Sequence, residues 1–340
     1  MIFFDSDYQE GCHPLILKEM EKSNMIQYHG YGDDFYTKEA AKIIREKTSP
    51  NADVHLISGG TQTNLIAIKS ALRPHEAVIS ATSGHIEVNE TAAVESTGHK
   101  ILTVDAIDGK IDIEKARDLL ENRKNDPRKE HKAKPKMIYI SQPTEIGTIY
   151  SKKELMDLRK LCDDYGIYLF VDGARLSYAL ESIKNDVSMK DLYELSDLFY
   201  IGGTKCGAMM GEALLIRNDL LKEDFRYHIK QNGAMLAKGR FLGVQFYTLL
   251  KDDLYTEIAK KANEYALSIR KAFEDKNIKC IDSYTNQQFF YLTKEMVDKL
   301  LEDFSFEYEK EGEYYLSRFC TSWATKEEYV NKLIHKIKEL

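Results

Sequence analysis

KMIYISQPTEIGTIYSKKELMDLRKLCDDYGIYLFVD, residues 136–172, decides the fold. Two short apolar runs, KMIYIS (136–141) and IYLFVD (167–172), flank a helical pattern over Lys152–Tyr165. Continuous apolar strands separated by a helix belong to a parallel sheet covered on both faces. The same alternation extends outward. VHLI (54–57), AVISA (77–81) and KILTV (100–104) precede the unit, with a helical pattern over Asn64–Leu72, and DLFYI (197–201) follows it. GEALLIR (211–217) adds a further strand, antiparallel after the turn at Cys206–Gly211. The fold class is therefore α/β, with a mostly parallel sheet of about seven strands.

The pattern changes near residue 250. Leu254–Asp275 reads as one long amphipathic helix. IKCID (278–282), QQFFYL (287–292), a helix around Lys294–Asp303, FEYEK (306–310), YYLSRF (314–319) and a terminal helix after Thr325 follow it. This is the signature of a smaller α+β domain. The expected division is 1–250 for an N-terminal segment plus the large domain and 251–340 for the small one, with the hinge near 245–255. The charge run ENRKNDPRKEHKAKPK (121–136) reads as a solvated loop.

Of the 340 residues, 48 Lys+Arg stand against 55 Asp+Glu, a net charge of −7, which disfavours a nucleic-acid partner. No apolar run approaches the roughly 18–20 residues that span a bilayer. The opening MIFFDSDYQEG places acids where a secretion signal would carry basic residues before a longer apolar stretch, so no secretion is expected. Five widely spaced cysteines without a CxxC pair fit a reducing cytoplasm rather than a disulfide framework. Nine scattered histidines with no HExxH argue for no metal centre.

Ligands of open α/β sheets bind at the carboxyl ends of the strands, and three motifs fall there. SGGTQTN (58–64) follows a strand and opens a helix, so its backbone N–H groups and helix dipole suit a phosphate. It is neither GxGxxG nor a P-loop, and a plain connection capped by Thr61 or Thr63 would look the same. FVDGAR (170–175) ends an apolar strand on Asp172, a carboxylate that needs a partner if buried. YIGGTKCG (200–207) carries Lys205 behind a strand and two glycines, where a lysine near the core would have a lowered pKa and form a Schiff base. Each motif alone has an ordinary structural explanation. Together they meet the needs of pyridoxal phosphate: N–H groups for the phosphate, an acid for the pyridine nitrogen, a lysine for the aldehyde.

With these residues in hand, the chain resembles the L-threonine aldolase family of pyridoxal-phosphate enzymes, of the aspartate aminotransferase-like fold. The resemblance runs over nearly the whole length through DSD (5–7), YGDD (31–34), SGGTQTN, GH (84–85), Glu90, TEIG (144–147), VDGAR (171–175), GGTK (202–205) and SRFCTSWAT (317–325). It implies that Lys205 holds the cofactor, that Asp172 pairs with the ring nitrogen, and that Gly60, Thr61 and Thr204 bind phosphate. It implies that His85 stacks on the ring, that Arg175 lies near the ring hydroxyl and substrate carboxylate, and that Arg318 and Ser6 bind that carboxylate. Tyr31, Lys230 and Lys238 resemble parts contributed by a neighbouring subunit in a homodimer or homotetramer whose active site lies at the interface.

Glu145 occupies a position where better-known aldolases carry a histidine facing the substrate hydroxyl, which makes it a substrate-side residue here. The position before Ser6 is acidic (Asp5), where the family often carries a basic residue. The implied reaction is Cα–Cβ cleavage of a β-hydroxy-α-amino acid, such as L-threonine or L-allo-threonine to glycine and acetaldehyde. His85, Glu145, Glu90 and a bound water all stand open as its base. β-Elimination, transamination or racemisation would use the same cofactor residues, and a silent pyridoxal-phosphate-binding protein is the reading from another class.

Overall fold

The computed structural model describes residues 1–340. Seven strands form the central sheet: β1 (Asp53–Ile57), β2 (Glu76–Ala81), β3 (Lys100–Val104), β4 (Lys134–Ser141), β5 (Tyr168–Asp172), β6 (Leu198–Gly202) and β7 (Glu212–Ile216). Their spatial order is β1-β7-β6-β5-β4-β2-β3. The neighbours from β6 to β3 pair in parallel. β7 is antiparallel to both β1 and β6.

Side chains along a strand alternate between the faces of its sheet, and here both faces are buried. Ile138, Ile140, Leu169, Val171, Phe199, Ile201, Ala213 and Leu215 enter one apolar core. Met137, Tyr139, Phe170, Leu198, Tyr200, Leu214 and Ile216 enter a second core on the opposite face, together with Ile66, Ala67 and Ile68. Those last three come from helix α1 (Gly60–Ala71). This double burial makes the strands read as unbroken apolar runs. The helix between β4 and β5 occupies Lys152–Tyr165, with a Ser151–Glu154 capping box at its start and Gly166, at φ 60°, closing its end.

A third core lies in the C-terminal region, where strands Gln287–Leu292, Tyr314–Cys320 and Glu307–Glu311 form an antiparallel sheet in that order. Phe273 and Phe290 meet there at 4.0 Å between ring centroids. Helix Leu254–Glu274 spans two cores: Tyr255, Ala259 and Ala262 join the first, while Ile269, Ala272 and Phe273 join the third. The chain start also packs here. Ile2–Phe3 pairs in parallel with Phe304–Ser305, the Cys320 amide donates to the Phe4 carbonyl at 2.8 Å, and Phe4 is buried in the third core.

Three expectations need correction. IKCID forms no strand. It runs along the edge of Gln287–Leu292, bridges it only at Cys280 opposite Phe290, and then turns so that the Tyr284 amide reaches the Gly147 carbonyl. Helix α1 starts at Gly60 rather than Asn64, so its first turn lies inside the glycine–threonine motif. The charge run is a loop only in its middle, because Ile113–Asn125 is helical and β4 begins at Lys134. No helix is long and apolar enough to cross a membrane.

Candidate active site

A cavity of about 400 Å³ opens at the carboxyl ends of the parallel strands, beside the first turn of α1. Its wall contains Gly60, Thr61, His85, Glu145, Asp172, Arg175, Thr204 and Lys205. Eight sequence-derived candidates thus converge on one space. A larger cavity of about 630 Å³ lies at the opposite strand ends, among lysines of the charge run, and holds none of these groups.

Alternation explains the convergence. Tyr139, Ser141, Asp172, Tyr200 and Glu212 share the parity of the second core, so their side chains leave the sheet on the face that α1 covers. The turns beyond the strands are tight. A Cβ on Gly173 would sit 1.9 Å from the Tyr200 carbonyl oxygen, and one on Gly202 would sit 2.2 Å from the Ala174 carbonyl oxygen. Only glycine permits the loops carrying Arg175 and Lys205 to approach each other so closely.

Asp172 is held as a carboxylate. Its Oδ2 accepts from Asn64 Nδ2 at 3.1 Å and from the Tyr139 hydroxyl, and its Oδ1 accepts from the Ala174 amide at 2.9 Å. Burial pushes its pKa upward, but the His85 charge and the hydroxyls of Tyr139 and Tyr200 outweigh burial and hold it below the ordinary value. Lys205 shifts the other way. Burial and the Arg175 charge lower its pKa, against the pull of Asp7, Asp172 and Glu212.

Arg175 is clamped by Asp7, whose Oδ2 accepts from Nε at 2.7 Å and whose Oδ1 accepts from Nη2 at 3.1 Å. Asn286 Nδ2 also donates to Asp7, at 2.9 Å. The wholly buried Asp7 would be raised by burial, yet the charges of Arg175 and Lys205 hold it below the ordinary carboxylate range. On the other wall, His85 Nδ1 meets Glu90 Oε1 at 2.7 Å. Burial disfavours charge on this imidazole, but Glu90 and Asp172 raise its pKa above the usual value. Glu145 accepts from Ser141 Oγ at 2.6 Å and from the His85 amide at 3.1 Å. Burial raises its pKa, assisted by the Asp172 charge.

The other candidates lie outside the cavity wall. Ser6 is buried in the N-terminal segment. Arg318 donates through Nη2 to the Asp5 carbonyl at 2.9 Å and pairs with Glu307 at 2.7 Å, while its buried Nε has no partner. Tyr31 is half exposed, with Lys230 4.9 Å from its ring centroid, and Lys238 is exposed on the surface. Nothing in the sequence alone assigns a role to Tyr139, Tyr200, Asn64, Asp7 or Glu212. The signals were present as polar residues in otherwise apolar strands or in motifs already quoted. The capping suggested for Thr61 or Thr63 does not occur: α1 has no side-chain cap, and the Thr63 hydroxyl donates instead to the Gly59 carbonyl.

Residues 5–295 match the model of the beta-eliminating lyases. The chain belongs to the beta-eliminating lyase family. Among its relatives, a low specificity L-threonine aldolase of Pseudomonas sp. is 34% identical over 77% of this chain and 75% of its own length. That of Pseudomonas aeruginosa is 31% identical over 80% and 78%. The threonine aldolase structure of Leishmania major shares 44% identity, covering 100% of this chain and 99% of that one, with a TM-score of 0.96. An aspartate aminotransferase of Thermus thermophilus, at 14% identity over 100% of this chain and 91% of that one, has a TM-score of 0.74, which shows the aspartate aminotransferase-like fold.

The cofactor of the family is pyridoxal 5'-phosphate, and the residues present fit it. The uncapped first turn of α1 leaves N–H groups free for a phosphate. Gly59, also in the cavity wall, has no protein atom within 4 Å of where a Cβ would lie, so the cradle is open. A buried lysine and a buried, hydrogen-bonded carboxylate complete the donor set.

Proposed function

We propose that this enzyme cleaves the Cα–Cβ bond of a β-hydroxy-α-amino acid, converting L-threonine or L-allo-threonine to glycine and acetaldehyde. The observation that carries the reading is the convergence of Lys205, Asp172 and the uncapped turn of α1 on one cavity. The full-length likeness to the Leishmania threonine aldolase supports it.

When bound, pyridoxal phosphate supplies an electron sink for the pair released at Cα. Lys205 would hold the cofactor, and its lowered pKa makes the neutral, nucleophilic amine more available. Asp172, held as a carboxylate, would pair with the ring nitrogen. Gly60, Thr61 and Thr204 would hold the phosphate. Arg175, oriented by Asp7, would serve the ring hydroxyl and the substrate. Ser6 and Arg318 would receive the substrate carboxylate, for which the guanidinium fork offers two parallel hydrogen bonds.

Two groups are set to move the β-hydroxyl proton. Glu90 fixes the Nδ1 side of His85, leaving the other ring nitrogen for proton transfer. Glu145 is buried, and burial together with the Asp172 charge raises its pKa, which makes its carboxylate a stronger base.

The same reading takes residues 1–250 and 251–340 as the two domains. It takes the assembly as a homodimer or homotetramer joined near Tyr31 and Lys230, whose exposed pairing supports an interface there. Five unpaired cysteines support a cytoplasmic location.

The test is visible absorbance with an acetaldehyde assay on L-threonine and L-allo-threonine. A yellow protein releasing acetaldehyde, with colour and activity both lost in Lys205→Ala, is expected. A yellow protein that yields ammonia and a keto acid instead of an aldehyde would overturn the aldolase reading in favour of elimination.

A further inference from the structure

Glu212 opens β7 beneath the cavity, on the sheet face that carries Asp172 and Tyr200. It is an acid at the head of an otherwise wholly apolar buried strand, and both its oxygens are engaged. Oε2 accepts from the Gly203 amide at 2.9 Å. Oε1 lies 2.9 Å from the Thr204 hydroxyl. That hydroxyl also accepts from the Gly211 amide, at 3.0 Å.

A hydroxyl has one proton and two lone pairs. The Gly211 amide takes one lone pair. If Glu212 is ionised, it takes the proton, and Thr204 presents its remaining lone pair to the cavity. An anion placed there meets repulsion from the lone pair and from the carboxylate behind it. If Glu212 is neutral, its own Oε1–H donates to Thr204 across the same distance. The Thr204 proton is then released to point at a phosphate. The heavy atoms need not move, because only the polarity of one hydrogen bond reverses.

We propose that Glu212 is a positioning residue that sets the direction of the Thr204 hydroxyl and thereby makes the grip on the cofactor phosphate depend on a proton. This rests on pyridoxal phosphate being the ligand and on Thr204 meeting its phosphate. The surroundings favour the switch in a useful range. Burial pushes the Glu212 carboxyl up to about 8, against the Gly203 amide, the Thr204 hydroxyl and the Lys205 charge, and with help from Asp172. The charged and titratable groups facing it are Lys205 and Asp172 at the cavity, Tyr200 from β6 and Tyr255 from the long helix. Neutral Glu212 predominates below that value, so phosphate affinity is highest there and falls as pH rises through it.

The test separates the phosphate from the aldehyde. Dissociation constants of pyridoxal phosphate and of 5'-deoxypyridoxal, which offers an open aldehyde to Lys205 but no phosphate, are measured by absorbance on cofactor-free protein near pH 7 and pH 9. In the wild type the advantage of the phosphorylated ligand should fall about tenfold between them, as one protonation event requires. Glu212→Gln keeps an amide donor toward Thr204 and should hold a pH-independent advantage. Thr204→Val, which removes the hydroxyl but not the acid, should have a smaller advantage near pH 7 and a shallower pH dependence. A flat advantage in the wild type, or the same fall in Glu212→Gln, overturns the proposal while leaving the cofactor reading intact. Failure of the wild type to bind either ligand at any pH overturns both. If Glu212→Gln does not fold, a Thr204→Val profile that repeats the wild-type fall overturns the switch by itself.

Discussion

Removing the carboxylate of Asp7 should destabilise the protein far more than a surface substitution would. Asp7 is wholly buried and accepts three hydrogen bonds, two from Arg175 and one from Asn286. The Arg175 side chain is only 13% exposed. Asp7→Ala leaves that guanidinium buried without its counter-charge, a situation that costs about 3–5 kcal/mol. Asp7→Ala/Arg175→Met removes both charges and should recover about 2 kcal/mol or more of that loss, because no orphaned charge remains. Equilibrium urea denaturation, followed by the fluorescence of the single tryptophan Trp323 at one fixed protein concentration, measures both quantities. The pH dependence carries the same signature. The Asp7 pKa is held below its ordinary value, so its contribution is fully present above about pH 4 and is lost as pH falls further, through the depressed value. The gap between wild type and Asp7→Ala should therefore shrink in acid. A cost below about 1 kcal/mol, or a double variant as unstable as the sum of the singles, would refute this account of the pair.

Substituting His85 by Asn should lower kcat by about 10²–10⁴ if its imidazole moves the β-hydroxyl proton, whereas Glu145→Gln should cost less; the reverse order in steady-state assays would assign the proton to Glu145. Glu90→Gln should lower the His85 pKa, seen as a shift of its NMR titration to lower pH, because the Glu90 hydrogen bond is the largest influence raising it. Tyr139→Phe removes one donor from Asp172 and should lower kcat roughly tenfold with circular dichroism unchanged, as expected for a lost bond to a charged group of about 1.5 kcal/mol. Gly59→Ala should leave urea stability within about 0.5 kcal/mol yet weaken cofactor binding, because its methyl would enter open cavity; Gly173→Ala should instead prevent stable folding, since its methyl would overlap the Tyr200 carbonyl.

The central sheet was legible because burial on both faces writes each strand as a continuous apolar run, and β7 was recognisable even as the antiparallel member. IKCID was misread because its apolar residues pack against a strand edge without sustaining a ladder. The candidate wall was legible where glycine-rich turns flank a lone charged residue, as at Asp172 and Lys205. Its supporting shell was harder to see. A tyrosine within an apolar strand, such as Tyr139 or Tyr200, is consistent with either core packing or hydrogen bonding, and only the register of neighbouring strands brings both to Asp172. Asp7 lies some 168 positions from Arg175, a separation that no local pattern reports.

The wall of the cavity is supplied by residues no later than Glu212, yet the segment that orients Arg175 is tied down from far downstream. Ile2–Phe3 pairs with Phe304–Ser305, and the Phe4 carbonyl receives the amide of Cys320. On a ribosome residues 2–7 would therefore wait for residues 304–320 before finding their place. The large sheet can assemble early, but its arginine clamp closes only when the C-terminal strands arrive. A chain still lacking residues 304–320 would carry every wall residue and not have a finished pocket, so competence for catalysis is coupled to the arrival of those strands.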